Sequence, residues 1–134
     1  MYVPGKTEFI EENSEIFTLS CRPSAEDLNV NGTVHGGFIF FLCDEAIGRY
    51  VTASGKTGAA ADADIHYYRP GKAGEKMTVS VTERKTGRRL GIYLTEVRNE
   101  KGTLLADAMF TIAFAPEEKR PEKAHSRSYH HVFD

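Results

Sequence analysis

The chain has 134 residues and a net charge of −2 at pH 7, and its residues are 40% hydrophobic and 27% charged. This length suits one domain of ordinary size, large enough to bury a full apolar core. The slightly acidic balance excludes a general nucleic-acid binder, which is usually basic. Two cysteines without CxxC spacing exclude a disulfide scaffold and a zinc ribbon.

No segment has the pattern of a membrane span or of a signal peptide. The longest apolar run, Phe38–Cys43, is far shorter than the ~18 residues that a span requires. Met1–Ile10 lacks a basic stretch followed by an apolar one. We therefore expect a reduced, cytoplasmic protein with no membrane or nucleic-acid partner.

The first predicted strand is Glu15–Cys21, in which Phe17, Leu19 and Cys21 share one face. A short helix around Lys6–Asn13 is also expected ahead of this strand. A loop rich in proline, asparagine and glycine follows the strand.

The strongest predicted element is a helix over Phe38–Ala53. Its apolar residues are distributed around most of its circumference, which is typical of a buried helix. His35, Gly36 and Gly37 stand at its start, and Gly55 is expected to cap its end in a left-handed conformation.

Four further strands are predicted after the helix: Gly58–Arg69, Lys76–Lys85, Gly91–Asn99 and Thr103–Ala115. In the third of them, Ile92 and Leu94, together with Val97, are expected to point inward. One sheet that wraps one long helix satisfies this order of elements, so the sequence predicts an α+β fold.

Residues 1–115 are predicted to form this single domain. The polar, aperiodic segment Pro116–Asp134 is expected to be a mobile tail. His125, His130 and His131 lie in it without a pattern of carboxylate partners, so no metal site is predicted.

Two features of the stretch Asn29–Ala46 can carry chemistry. Gly36 and Gly37 stand at the helix N-terminus, where unpaired N–H groups and the helix dipole can stabilise a developing oxyanion. Asp44 lies within the most apolar helix, where desolvation raises the pKa of a carboxyl group toward the range of a base. The alternatives are an ordinary tight turn for the glycines and a solvated helix face for the aspartate.

Together, these residues resemble a known family. His35-Gly36-Gly37 followed by Leu42, Asp44 and Ala46 resembles the HGG-x(4)-L-x-D-x-A signature of hotdog-fold acyl-CoA thioesterases of the phenylacetate-pathway (PaaI-like) type. The resemblance spans Glu15–Ala115 and includes Tyr68-Arg69-Pro70-Gly71, Gly87–Gly91 and Val97–Thr111. It implies a curved antiparallel sheet wrapped around one long helix, and hydrolysis of an acyl-CoA to a free acid and CoA.

The resemblance also implies roles for individual residues. Asp44 matches the catalytic carboxylate, which acts as general base or as nucleophile. Gly36 matches the residue whose N–H polarises the thioester carbonyl, and Gly37 follows it in the binding motif. Asn29 matches a polar residue that holds the water or the thioester, and His35 matches a histidine that binds substrate or shapes the site.

The chain departs from the family pattern at one point. Some relatives carry a serine or threonine on the strand near the carboxylate, whereas this chain has Ala59, Ala60 and Ala61 there. Asp62 and Asp64 follow directly. They either replace the hydroxyl group or form a polar strand face.

The spacing of the two central residues predicts a homodimer. Gly36 and Asp44 are eight residues apart on one helix, or roughly 12 Å along its axis. Reacting groups must lie within about 3–3.5 Å of each other. The helix start of one subunit must therefore meet Asp44 of another, and two-fold symmetry gives two shared sites. The resemblance adds a dimer of dimers.

Basic residues supply candidate contacts to the phosphates of CoA. Arg69, Lys72, Arg88 and Arg89 are these candidates, because guanidinium groups match phosphate geometry. Ordinary solvated turn residues are the alternative. No separate cofactor is implied, since CoA arrives as part of the substrate.

Two other functions stay open on the same fold. One is a non-catalytic acyl-CoA sensor or binding module, although the retained Asp44 favours hydrolysis. The other is a hydratase, which commonly needs the spacing D-x(4)-H; here the fifth residue after Asp44 is Arg49. Cys43, Tyr67 and Tyr68 are interpreted as core and sheet-packing residues. The acyl group is not readable from the sequence.

Overall fold

The computed structural model describes the backbone of Ile10–Asn13 and all of residues 17–116. These ranges contain one α-helix, one short 3-10 helix (Ala25–Asp27) and six strands. The elements are β1 Ile10–Asn13, β2 Thr18–Cys21, α1 Gly36–Ala53, β3 Gly58–Tyr67, β4 Met77–Thr86, β5 Leu90–Arg98 and β6 Leu104–Phe114. The predicted long helix followed by four strands is confirmed.

All six strands form one antiparallel sheet in the order β1-β2-β4-β5-β6-β3. The helix α1 packs against β3, β4, β5 and β6 on one face of this sheet. The sheet and helix together confirm the predicted α+β architecture. Because β3 is the last strand in the order, one of its edges pairs with no strand among the residues that the structure describes.

Helix α1 is held by burial and by both of its ends. It contributes a continuous buried stripe to the core, formed by Phe38, Ile39, Leu42, Cys43, Ala46, Ile47 and Val51. It begins two residues before the predicted start, because the His35 side chain caps it. It ends at Ala53, and Gly55 follows with φ of +86°, which confirms the predicted left-handed cap.

The prediction of a short helix over Lys6–Asn13 is wrong in its described part. Ile10–Asn13 forms β1, which pairs antiparallel with β2. The edge of β2 has backbone N–H and C=O groups that can pair with this segment. Hydrogen bonding to that edge outweighs a weak local preference for helix.

The predicted facing of β5 is also wrong for two residues. Ile92 and Leu94 point to the outer face, and Tyr93 and Thr95 are fully buried instead, in phase with Val97. Both phases of this strand carry apolar side chains, so alternation alone does not decide between them. Packing of the Tyr93 ring selects the observed phase, because the ring lies edge-to-face on Tyr50 of α1 with 5.7 Å between the two centroids.

The predicted tail begins at Pro116, and its remainder lies outside the described residues. Within the described ranges, no helix combines the length and the apolar character that crossing a membrane requires.

Candidate active site

The N-terminus of α1 presents one open backbone donor. The Gly37 N–H donates to His35 Nδ1 at 2.9 Å. The Gly36 N–H has no acceptor among the described residues. Because His35 Nδ1 accepts a hydrogen bond, the neutral imidazole carries its proton on Nε2. The predicted oxyanion donor, Gly36, is therefore available, whereas Gly37 is occupied by the cap.

The loop before the helix holds Asn29 through its own side chain. Asn29 Oδ1 accepts from the Asn31 N–H at 2.9 Å, and from the N–H and the hydroxyl of Thr33, both at 3.2 Å. The carbonyl oxygen is thus used within the loop. Any contact from the Asn29 side chain to water or to the thioester is therefore expected to be a hydrogen bond donated by its Nδ2 amino group.

Asn29, Gly36 and Arg69 meet in one surface cleft of about 350 Å³. Its walls also include Val34, Ile39, Tyr67, Tyr68 and Pro70. Three of the sequence-predicted site residues, from three separate segments of the chain, therefore share one cleft at the start of α1.

Asp44 lies two turns further along the same helix and is partly buried. Its carboxylate makes no hydrogen bond or ion pair with any residue that the structure describes. Burial raises its pKa above the ordinary carboxyl value, and the neighbouring charge of Glu45 adds to the rise. Glu45 itself pairs with Arg49 at 2.9 Å. Both carboxylates are partly buried, and Asp44 is the one of the two without a described partner.

The structure does not bring Asp44 into the cleft that contains Gly36. The helix is unbroken between the two residues, so their separation along the axis remains roughly 12 Å. A single subunit therefore presents the carboxylate and the open N–H at two separate places.

Asp62 and Asp64 do not replace the missing hydroxyl group within a subunit. They pair with Thr111 and Met109, and both aspartates are exposed on the outer face of the sheet. A bulge between Ala60 and Asp62 sets this phase. Ala60 pairs with Ile112 and so faces the helix side of the sheet, but Ala60 itself is exposed at this edge strand.

The predicted phosphate contacts are divided between the two ends of the sheet. Arg69 follows the end of β3, where Tyr67 pairs with Ala106. Arg88 and Arg89 lie in the turn between β4 and β5, at the opposite end and roughly 30 Å away for strands of nine or ten residues. This turn borders a second groove of about 490 Å³, lined by Lys85, Gly87, Arg88, Arg89, Leu90 and Ile92. Lys72 is exposed in the loop after Arg69.

Tyr67 makes a contact that the sequence did not predict. Its hydroxyl donates to the Gly36 carbonyl oxygen at 2.8 Å, and half of the residue's surface remains exposed. A tyrosine near the end of a strand usually packs on the sheet, and no spacing rule links it to a glycine 31 residues earlier. Only the position of β3 beside the start of α1 reveals the contact.

Cys43 is confirmed as a core residue. It is fully buried, and burial raises the pKa of its thiol to about 12. A thiol in this state is not a nucleophile at neutral pH.

Comparison with known proteins identifies the family. The sequence model described as "Thioesterase superfamily" matches residues 31–106, which is more than half of the chain. The chain belongs to the thioesterase superfamily. Acyl-coenzyme A thioesterase PaaI of Escherichia coli is 29% identical over 97 residues, covering 72% of this chain and 68% of that protein.

One further relative agrees with this membership, and one solved structure has the same fold. Human acyl-coenzyme A thioesterase 13 is 30% identical over 112 residues, covering 81% of this chain and 80% of that protein. A protein of Streptococcus pneumoniae described as a hypothetical thioesterase, solved with coenzyme A, superposes with a TM-score of 0.76 at 24% identity, covering 83% of this chain and 90% of that one. The predicted hotdog fold, the PaaI-like type and the prediction of a thioester hydrolase are confirmed.

Proposed function

We propose that this member of the thioesterase superfamily hydrolyses acyl-CoA thioesters, releasing a free acid and CoA. The observation that carries the proposal is Asp44, a carboxylate without a described partner whose pKa is raised by burial. It lies on the same helix that offers the open Gly36 N–H. The names of the PaaI and human relatives support acyl-CoA as the substrate class.

The chemistry needs a proton acceptor and an oxyanion donor. The Gly36 N–H donates to the carbonyl oxygen, where negative charge develops as the tetrahedral intermediate forms. Asp44 acts as the base that takes a proton from the attacking water. Alternatively it attacks the carbonyl carbon itself, and water then hydrolyses the resulting mixed anhydride to release the acid and restore the carboxylate. The Asn29 amino group, in the same cleft as Gly36, holds the thioester or the water, and His35 shapes the site through its cap on the helix. Collapse of the intermediate expels the CoA thiolate, which takes up a proton.

The site is completed by a second copy of the chain. The open edge of β3 allows antiparallel pairing of two sheets about a two-fold axis. Such pairing carries the Gly36 end of one subunit toward the Arg88 end of its partner. It therefore supports a site with Asp44 from one subunit and Gly36 from the other.

The outer face of the sheet supports association of two such dimers. It carries an apolar strip in which Leu90, Ile92 and Met109 are exposed, with Leu94 beside them. Contiguous apolar surface of this kind is typical of a protein interface.

The two basic regions also belong together in the proposed dimer. Arg69 of one subunit and the Arg88–Arg89 turn of the other lie toward the same end, within reach of an extended CoA.

We expect the double variant Arg88→Ala, Arg89→Ala to raise KM for acyl-CoA severalfold with little change in kcat, because these contacts are distant from the thioester. Steady-state kinetics at low and high salt test this. An unchanged KM would remove the turn from the site.

The proposed function is tested by measuring thiol release from a panel of aliphatic and aromatic acyl-CoAs. Hydration of an enoyl-CoA is measured alongside. Thiol release with turnover supports the proposal. Binding without turnover would establish the sensor instead, and hydration without thiol release would establish the hydratase.

A further inference from the structure

The peptide unit that joins Gly36 and Gly37 is hydrogen-bonded at both ends. Its carbonyl oxygen accepts from the Tyr67 hydroxyl at 2.8 Å. Its N–H donates to His35 Nδ1 at 2.9 Å. A peptide held from both sides has a fixed plane, and hydrogen bonds in series polarise one another. The first turn of α1 is therefore held by a strand residue as well as by its own cap.

The Tyr67 ring also covers the Cα atom of Gly36. A Cβ atom at position 36 would lie 3.3 Å from the ring carbon that bears the hydroxyl and 3.4 Å from the hydroxyl oxygen. The first of these distances is shorter than most contacts of a real Cβ atom, and the second is at the short end of ordinary van der Waals contact. The ring therefore occupies the space next to position 36, and any residue with a side chain would displace it by a few tenths of an ångström.

We propose that Tyr67 is a positioning residue of the thioester site. By holding the Gly36–Gly37 peptide, it fixes the adjoining His35–Gly36 peptide, so that the Gly36 N–H faces the cleft in a fixed direction. The inference rests on the proposed role of Gly36 as oxyanion donor. Tyr67 lines the same cleft as Asn29 and Gly36. Burial raises the pKa of its phenol, so the hydroxyl stays protonated and able to donate at neutral pH.

Tyr67→Phe tests the hydroxyl while keeping the ring. Loss of the one hydrogen bond that fixes the oxyanion donor is expected to lower kcat five- to tenfold, at about the wild-type KM. Tyr50→Phe is the matched control, because its hydroxyl bonds to Glu83 at the other end of the helix. This control is expected to keep the wild-type kcat.

A double-mutant cycle tests whether Tyr67 acts through Gly36. Gly36→Ala is expected to lower kcat about fivefold in the wild-type background. In a Tyr67→Ala background, where the ring that the new Cβ atom meets is gone, it is expected to cost less than twofold. Such coupling supports the proposal, because a merely structural effect of Tyr67 on the fold would leave the cost of Gly36→Ala unchanged.

Three results would overturn the proposal: wild-type kcat in Tyr67→Phe, a rise in KM alone, or single effects that multiply in the double variant. Asp44→Asn, measured in parallel, separates this outcome from failure of the proposed function. An inactive Asp44→Asn beside a fully active Tyr67→Phe rejects only the role of Tyr67. An active Asp44→Asn rejects the catalytic assignment on which that role rests.

Discussion

Replacing Asp44 with asparagine is expected to lower kcat about 10²–10⁴-fold, the usual loss when a general base is removed. Asparagine has nearly the same shape, but it cannot take a proton from water or attack the carbonyl. The wild-type rate is expected to fall as the pH drops through the raised pKa of Asp44, because protonation removes the base. Turnover of acyl-CoA by the purified variant, with a pH–rate profile of the wild type, measures both effects.

The same substitution is expected to raise the stability of the fold at pH 7 while it lowers kcat. A stability measurement therefore also shows whether the variant is folded. Because burial raises the pKa of Asp44, the folded chain binds that proton more tightly than the unfolded chain does. The stabilisation from this proton is present below the ordinary carboxyl pKa of about 3.9 and is lost as the pH rises through the folded pKa. At pH 7 the ionised carboxylate therefore destabilises the fold.

We expect Asp44→Asn to have a higher Tm than the wild type at pH 7, and the difference to disappear toward pH 3.5. Thermal unfolding across this range checks the sign. A variant that keeps the wild-type rate, or that melts lower than the wild type at pH 7, would contradict the view of Asp44 as a desolvated base held at a cost in stability.

The sequence predicted the parts of the fold that depend on local pattern. The helix was predictable because its own apolar residues are distributed around most of its circumference. Its first two residues, Gly36 and Gly37, lie outside the predicted helix, since the cap made by His35 depends on the position of one ring nitrogen. In β5 the pattern allowed two phases, and burial of the Tyr93 ring against α1 selected the one that the sequence did not favour.

The sequence predicted only those parts of the candidate site whose residues lie close together along the chain. The motif around Gly36 and Asp44 is continuous along the chain, so its spacing could be read directly. The contact between Tyr67 and Gly36 joins residues 31 positions apart. The outward facing of Asp62 and Asp64 depends on a bulge in β3, and an extra residue in a strand changes the phase of everything after it.

A mixture of two inactive variants is expected to recover activity if the site is shared between subunits. Gly36→Pro removes the open N–H, and losing one oxyanion donor costs roughly 10²–10³ in rate. Proline is tolerated at the first position of a helix, and no described residue accepts a hydrogen bond from this N–H. Gly36→Ala is the matched control, because it brings the same Cβ atom against Tyr67 and keeps the donor.

The amount of activity that should return follows from the fraction of mixed dimers. Asp44→Asn and Gly36→Pro are unfolded and refolded together in equal amounts, so that about half of the dimers are mixed. In a mixed dimer, one site contains both substitutions and the other contains neither. About a quarter of the wild-type activity per site should therefore return, whereas each variant refolded alone stays inactive. If mixed dimers form and no activity returns, each subunit must build its site alone. The 12 Å that separate Gly36 from Asp44 along one helix make that outcome incompatible with the two residues acting on the same thioester.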